Sequence, residues 1–130
     1  MTQEEKVEHW IRIADSDIVA ATVMLKNKLN LYAGFHCQQA VEKILKAYFV
    51  KTKNQDHPLI HNLAKIADRA GIYEQLSEEH IKLLEDLEPL YIEARYNDYK
   101  MRIAKSLTKD VTKSILGRTK EFLLWIKEKM

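Results

Sequence analysis

Apolar residues along this chain recur at helical intervals. Val7, Ile11, Ala14, Ile18, Ala21 and Leu25 fall at alternating spacings of four and three, one stripe on a helix, with Trp10 at its edge. Thr2 followed by Glu5 is a capping-box pattern, in which each side chain satisfies a backbone N–H of the other. A first helix is therefore predicted from about residue 3 to residue 27, ended by "NKLN". In "YAGFHCQQAVEKILKAYFVKTK", Cys37, Ala40, Val41, Ile44, Leu45 and Tyr48 share a broad face, while Phe35 and Phe49 lie opposite. A helix apolar on two sides is central in a bundle or covered by a second chain.

Beyond the loop "NQDHPL", where Pro58 biases His57 away from α geometry, "IHNLAKIADRAG" predicts a short third helix. Leu63, Ile66, Ala67 and Ala70 face inward, and Gly71 is the stop. Ser77 with Glu78 and Glu79 starts a fourth helix, whose stripe is Ile81, Leu84, Leu87, Tyr91 and Ala94, with a kink expected at Pro89. The polar stretch 96–106 interrupts the pattern. A last helix runs from Ser106 or Thr108 to Lys129, with Val111, Ile115, Phe122 and Ile126 inward and Gly117 weakening it by roughly 1 kcal/mol. The expected fold is all-α: one domain over residues 1–130, an antiparallel up-and-down helical bundle of four long helices plus one short helix.

Composition agrees. Three glycines and two prolines in 130 residues leave too few turns for an all-β chain. The net charge of +2 neither demands nor excludes nucleic acid, since local patches matter more than the sum. The single cysteine, Cys37, excludes an intrachain disulfide. No apolar signal core opens the chain, and no uncharged apolar window approaches membrane-spanning length. The expectation is a soluble cytoplasmic protein without membrane contact.

The candidate chemistry centres on "YIEARYNDYK", residues 91–100. Arg95 is read either as a phosphate contact, through its fork of donors, or as a local tie to Glu93, Asp98 or a helix end. Lys100, Arg102 and Lys105 follow it, as a solvated face or, beside Tyr96 and Tyr99, as a surface that holds and stacks RNA. Tyr91 is read as a core-edge aromatic. His36, Gln39, Lys43 and Lys46 form a polar stripe on the second helix. Either it edges the bundle, with His36 bonded to a neighbouring helix, or it lines the same cleft as Arg95, with His36 a substitute acid–base. His57 and His61 are four apart, but no carboxylate or cysteine completes a metal set, and His61 is expected to cap or pack at the start of the third helix. Cys37 reads as a core residue, and Glu85, Asp86 and Glu88 as a wet helix face. No cofactor motif is present.

"FHCQQAVEKILKAYF", "HNLAKIADRAG" and "YIEARYNDY", in that order, resemble the HEPN family of small prokaryotic helical domains. The resemblance implies a bundle that commonly forms homodimers and associates with nucleotides or RNA. It also implies a setting beside a minimal nucleotidyltransferase, as one half of a toxin–antitoxin pair. Active members resemble metal-independent ribonucleases whose site is an arginine, four to six residues, then histidine, with a modifiable tyrosine two residues later in some. Arg95 matches that arginine, but positions 100, 101 and 102 hold Lys100, Met101 and Arg102. None of these moves a proton near neutral pH as imidazole does. The expected function is therefore nucleotide or RNA binding through Arg95, Tyr96, Tyr99, Lys100, Arg102, His36, Gln39 and Lys43, without the usual catalytic histidine. The alternatives are a ribonuclease toxin using His36 or Tyr99 as acid–base, and a non-catalytic interaction module.

Overall fold

The computed structural model describes residues 1–91 and 97–130, and only the backbone of residues 97 and 98. Among the described residues the chain is all-α, with six α-helices. Helix α1 (Gln3–Lys26) opens on the expected reciprocal cap: Thr2 Oγ1 accepts from the Glu5 N–H at 3.1 Å, and Glu5 Oε1 accepts from the Thr2 N–H at 3.2 Å. Helix α2 (Asn30–Lys53) follows a tight turn in which Lys28 takes a left-handed φ of 63°. Helix α3 (Leu63–Arg69) is capped by Asn62, α4 (Glu78–Leu87) by Ser77 and α6 (Lys109–Glu128) by Thr108. Between α4 and α6 lies α5 (Asn97–Ser106).

Two boundaries differ from the pattern-based expectation. The fourth helix does not run through Pro89 with a kink. It ends at Leu87 and tightens into a 3-10 turn, Glu88–Leu90, because proline cannot donate to the preceding turn. The stretch 96–106, read as an interruption, contains α5. That helix is hard to see in the sequence because it buries little: Ile103 is half-buried and Leu107, just beyond it, is buried. The expected four long helices and one short one are thus three long helices and three short ones among the described residues.

Helix α2 occupies the centre and touches every other helix. Fourteen of its 24 residues are buried, which explains why its apolar positions fall on two sides. Ala14 and Ala21 of α1, fully buried, let that helix approach α2 closely. On α6 the inward row is Thr112, Ile115, Leu116, Thr119, Phe122, Leu123 and Ile126. Val111, expected inward, is 44% exposed, and Thr112 takes its place, its hydroxyl satisfied by the Thr108 carbonyl at 2.7 Å. Apolar counting misses such a site because a self-satisfied threonine is buried at small cost.

The acids Asp86 and Glu88 are not the wet face expected of them. Asp86 accepts from Lys82 (2.9 Å) and from Arg118 of α6 (3.1 Å). Glu88 Oε2 accepts from the Leu63 N–H at 3.1 Å, satisfying an orphan donor at the start of α3. Nearby, a Cβ built on Gly34 of α2 would lie 3.1 Å from methyls of both Leu90 and Leu107. The two leucines that bracket residues 91–106 therefore rest on one bare turn of the central helix.

Replacing Gly34 with leucine is expected to displace both leucines and to lower stability in urea unfolding by about 1–3 kcal/mol, the usual cost of overpacking. Gly117→Ala is expected to raise it by about 0.5–1 kcal/mol, since a Cβ there meets nothing within 4 Å and the helix interior gains propensity.

Candidate functional site

The polar face of α2 is built around a carboxylate with no exposure to water, Glu42. Lys46, one turn on and 4% exposed, donates to Glu42 Oε2 at 3.0 Å, and Lys43 Nζ lies 3.5 Å from the same oxygen. His61, from the connection before α3, brings Nδ1 to 3.1 Å and 3.2 Å of the two carboxylate oxygens. Gln38 Nε2 donates to Oε1 at 3.3 Å, and Gln39 Nε2 donates to Gln38 Oε1 at 2.7 Å. Burial pushes the Glu42 carboxyl upward. The hydrogen bonds from Lys46 and His61 and the charges of Lys46 and Lys43 outweigh it and hold the group below its ordinary value.

Aromatic rings wall the cluster. Trp10 lies under the ammonium groups of Lys43 and Lys46, at 5.7 Å and 5.9 Å, and meets His57 edge-on at 4.6 Å. His57 is held below its usual value, first by burial and then by the charge of Lys46. His61 stacks on Tyr91 at 4.6 Å and 16°. Rather than capping α3, which Asn62 does, His61 ties that connection to α2.

Farther along α2, His36 Nδ1 lies 2.9 Å from Asp17 Oδ1 of α1. Burial raises the Asp17 carboxyl above its ordinary value despite the opposing bond and charge of His36 and the charge of Lys43. The structure thus sets His36, Gln39, Lys43 and Lys46 along one wall of α2. Tyr99, Lys100 and Arg102 stand on α5, where the Tyr99 hydroxyl donates to the Pro89 carbonyl at 3.0 Å. Arg95 and Tyr96 lie outside the described residues, and Tyr91 is the last described residue before them. Cys37 is buried, and burial pushes its thiol up to about 12, leaving no thiolate at neutral pH.

Apolar-stripe reading passed over Glu42, Gln38 and Asp17. Their signal was present as Gln38, Glu42 and Lys46 at four-residue intervals on a helix otherwise too apolar to be exposed. Among the described residues, no group of three or more His, Cys, Asp and Glu side chains is placed to hold a metal ion, and no helix is long and apolar enough to cross a membrane.

The HEPN domain family model matches residues 7–129, and the chain belongs to that family. Its backbone is similar to the crystal structure of TT1696 from Thermus thermophilus, with a TM-score of 0.81 at 20% identity, covering 96% of this chain and 98% of that one. It is also similar to ST0689, an archaeal HEPN homologue, with a TM-score of 0.66 at 18% identity, covering 95% and 96%. No curated protein matches the chain.

Glu42→Ala strands Lys46 in the interior and is expected to cost roughly 3–5 kcal/mol in chemical denaturation at pH 7, most of it recovered in a Glu42→Leu, Lys46→Met double variant. Because the folded-state value of Glu42 is depressed, its contribution is complete above the ordinary glutamate value of 4.5 and fades as pH falls through the depressed one. The stability gap between wild type and Glu42→Ala should therefore narrow on acidification.

Proposed function

We propose that this HEPN domain binds a nucleotide or RNA through the surface formed by the Arg95 segment and helix α5. The observation that carries this reading is the run of cations along α5, of which Arg102 and Lys105 share the side of Tyr99. Lys100, Arg102 and Lys105 follow Arg95 directly and make no ion pair among the described residues. Unmatched cations beside aromatic side chains suit a phosphate backbone and bases able to stack. Tyr99 supplies an exposed ring on the same helix. On α2, Lys46 is committed to Glu42 and Lys43 lies 3.5 Å from the same carboxylate, so the wall has less free charge than α5. With no histidine at positions 100–102, Arg95 holds a phosphate without a neighbouring imidazole to move protons. The partner setting is a homodimer, associated with a minimal nucleotidyltransferase in a toxin–antitoxin pair, as the resemblance implies. Exposed Val19 and Val23, four apart on α1, support a surface that a second chain covers.

A second reading is favoured by the Asp17–His36 pair. A carboxylate that orients an imidazole is the arrangement a general base requires, and it would make the domain a ribonuclease with His36 in the proton-transfer role.

Binding of labelled RNA, followed by fluorescence anisotropy at two salt concentrations, should weaken with salt and fall roughly tenfold in Arg95→Ala, about 1.4 kcal/mol for one lost charged contact. Unchanged affinity in that variant refutes the Arg95 reading. Cleavage of structured RNA by wild type but not by His36→Ala would replace it with the ribonuclease reading. Light scattering on the same preparation should give twice the 15.3 kDa chain mass.

A further inference from the structure

A groove of about 790 Å³ runs between the end of α1, the α1–α2 turn and the first half of α6. Five lysines line it: Lys26, Lys28, Lys109, Lys113 and Lys120. No carboxylate, arginine or aromatic ring is among its lining residues. Cations and anions nearly balance over the whole chain, 21 against 19, so five lysines with no acid is a segregated field. None of the five makes an ion pair among the described residues. A concave surface lined by one sign of charge concentrates ligands of the other.

Local structure keeps the groove open and charged. Lys109, Lys113 and Lys120 recur at four and seven residues on one face of α6 and so span about 16 Å of its axis. Gly117, between the last two, contributes no side chain to fill the floor, and Leu25 and Leu116 provide its apolar base. Lys28 sits at φ 63°, a left-handed conformation in which glycine is strain-free and lysine is not. A charged side chain is thus present where the backbone favours none.

We propose that this groove is a second binding site, taking the phosphodiester backbone of a single-stranded RNA. The inference rests on the RNA-binding reading of the Arg95 surface and extends it around the molecule. Asn30, on the groove's wall, donates to the Leu107 carbonyl at 3.0 Å, so the groove starts where basic helix α5 joins α6. A strand leaving Lys100, Arg102 and Lys105 therefore continues onto Lys109 and Lys113. Lysine binds phosphate as a point charge, without the fixed fork geometry of arginine, and the groove holds lysine alone. With no ring to stack a base, it reads charge and not sequence.

The test titrates labelled poly-uridylate with the full chain over a range of salt, with poly-glutamate as the competing acidic polymer. For Lys113→Gln with Lys120→Gln, the slope of log affinity against log salt should fall by about 1.4 and affinity by on the order of tenfold near 0.1 M salt. Lys28→Gly should weaken RNA binding while leaving the unfolding midpoint no lower than wild type, separating ligand from fold. Wild-type affinity and slope in the double variant overturn the groove. So does binding of poly-glutamate in preference to RNA, which would make the occupant an acidic protein segment. Arg95→Ala in the same titration isolates the other site. If it binds normally while the lysine variants fail, the groove stands and the Arg95 reading falls. If wild type binds no RNA, both fall.

Discussion

A carboxylate shut away from water must be met by positive charge and hydrogen bonds, and Glu42 imposes that condition on the middle of this bundle. Its partners come from two directions: Lys46, Lys43 and Gln38 from its own helix, and His61 from the connection leading into α3. Apolar contacts among α1, α2 and α6 are forgiving about rotation and sliding. A buried charge with fixed partners is not. Satisfying it orients His61, and His61 in turn stacks on Tyr91, where the chain enters the Arg95 segment. The interior electrostatics therefore set the position of Tyr91, from which that segment departs.

This arrangement divides the cations into two populations. Lys46 is committed to the interior, and Lys43 is shared between Glu42 and the Trp10 ring. The lysines and arginine of α5, and those of the groove between α1 and α6, have no such commitments among the described residues. A net charge of +2 conceals this division, because the acids that balance the total are spent elsewhere. Asp86 is paired with Lys82 and Arg118, Asp15 with Lys127 and Asp56 with Lys6. Long-range attraction for a polyanion follows from where charges are left over and not from their sum.

The helices that bury a broad stripe were legible in the residue pattern alone. Thr2 with Glu5, and Ser77 before two glutamates, marked true starts, since capping is a local interaction written within a few residues. Helix α5 is hard to read because it buries little of its own: Ile103 is half-buried and the buried Leu107 lies just beyond its end. Apolar spacing points Val111 inward because it passes over threonine, although a threonine that bonds its own helix backbone can be a core residue. The polar stripe on α2 was visible as His36, Gln39, Lys43 and Lys46. Its organising member was not, because a glutamate in a sequence reads as solvent-facing until tertiary structure surrounds it. The five groove lysines come from three separate stretches, and only the folded chain brings them together.

The two leucine methyls seated over Gly34 carry a consequence for how such a domain diversifies. They act as fixed posts at the two ends of residues 91–106, of which Ile103 packs against the core. The exposed residues of α5 between them, such as Met101, Arg102 and Lys105, can be exchanged without renegotiating that packing. One scaffold can therefore carry different surface chemistry at this place while the packing beneath it stays the same.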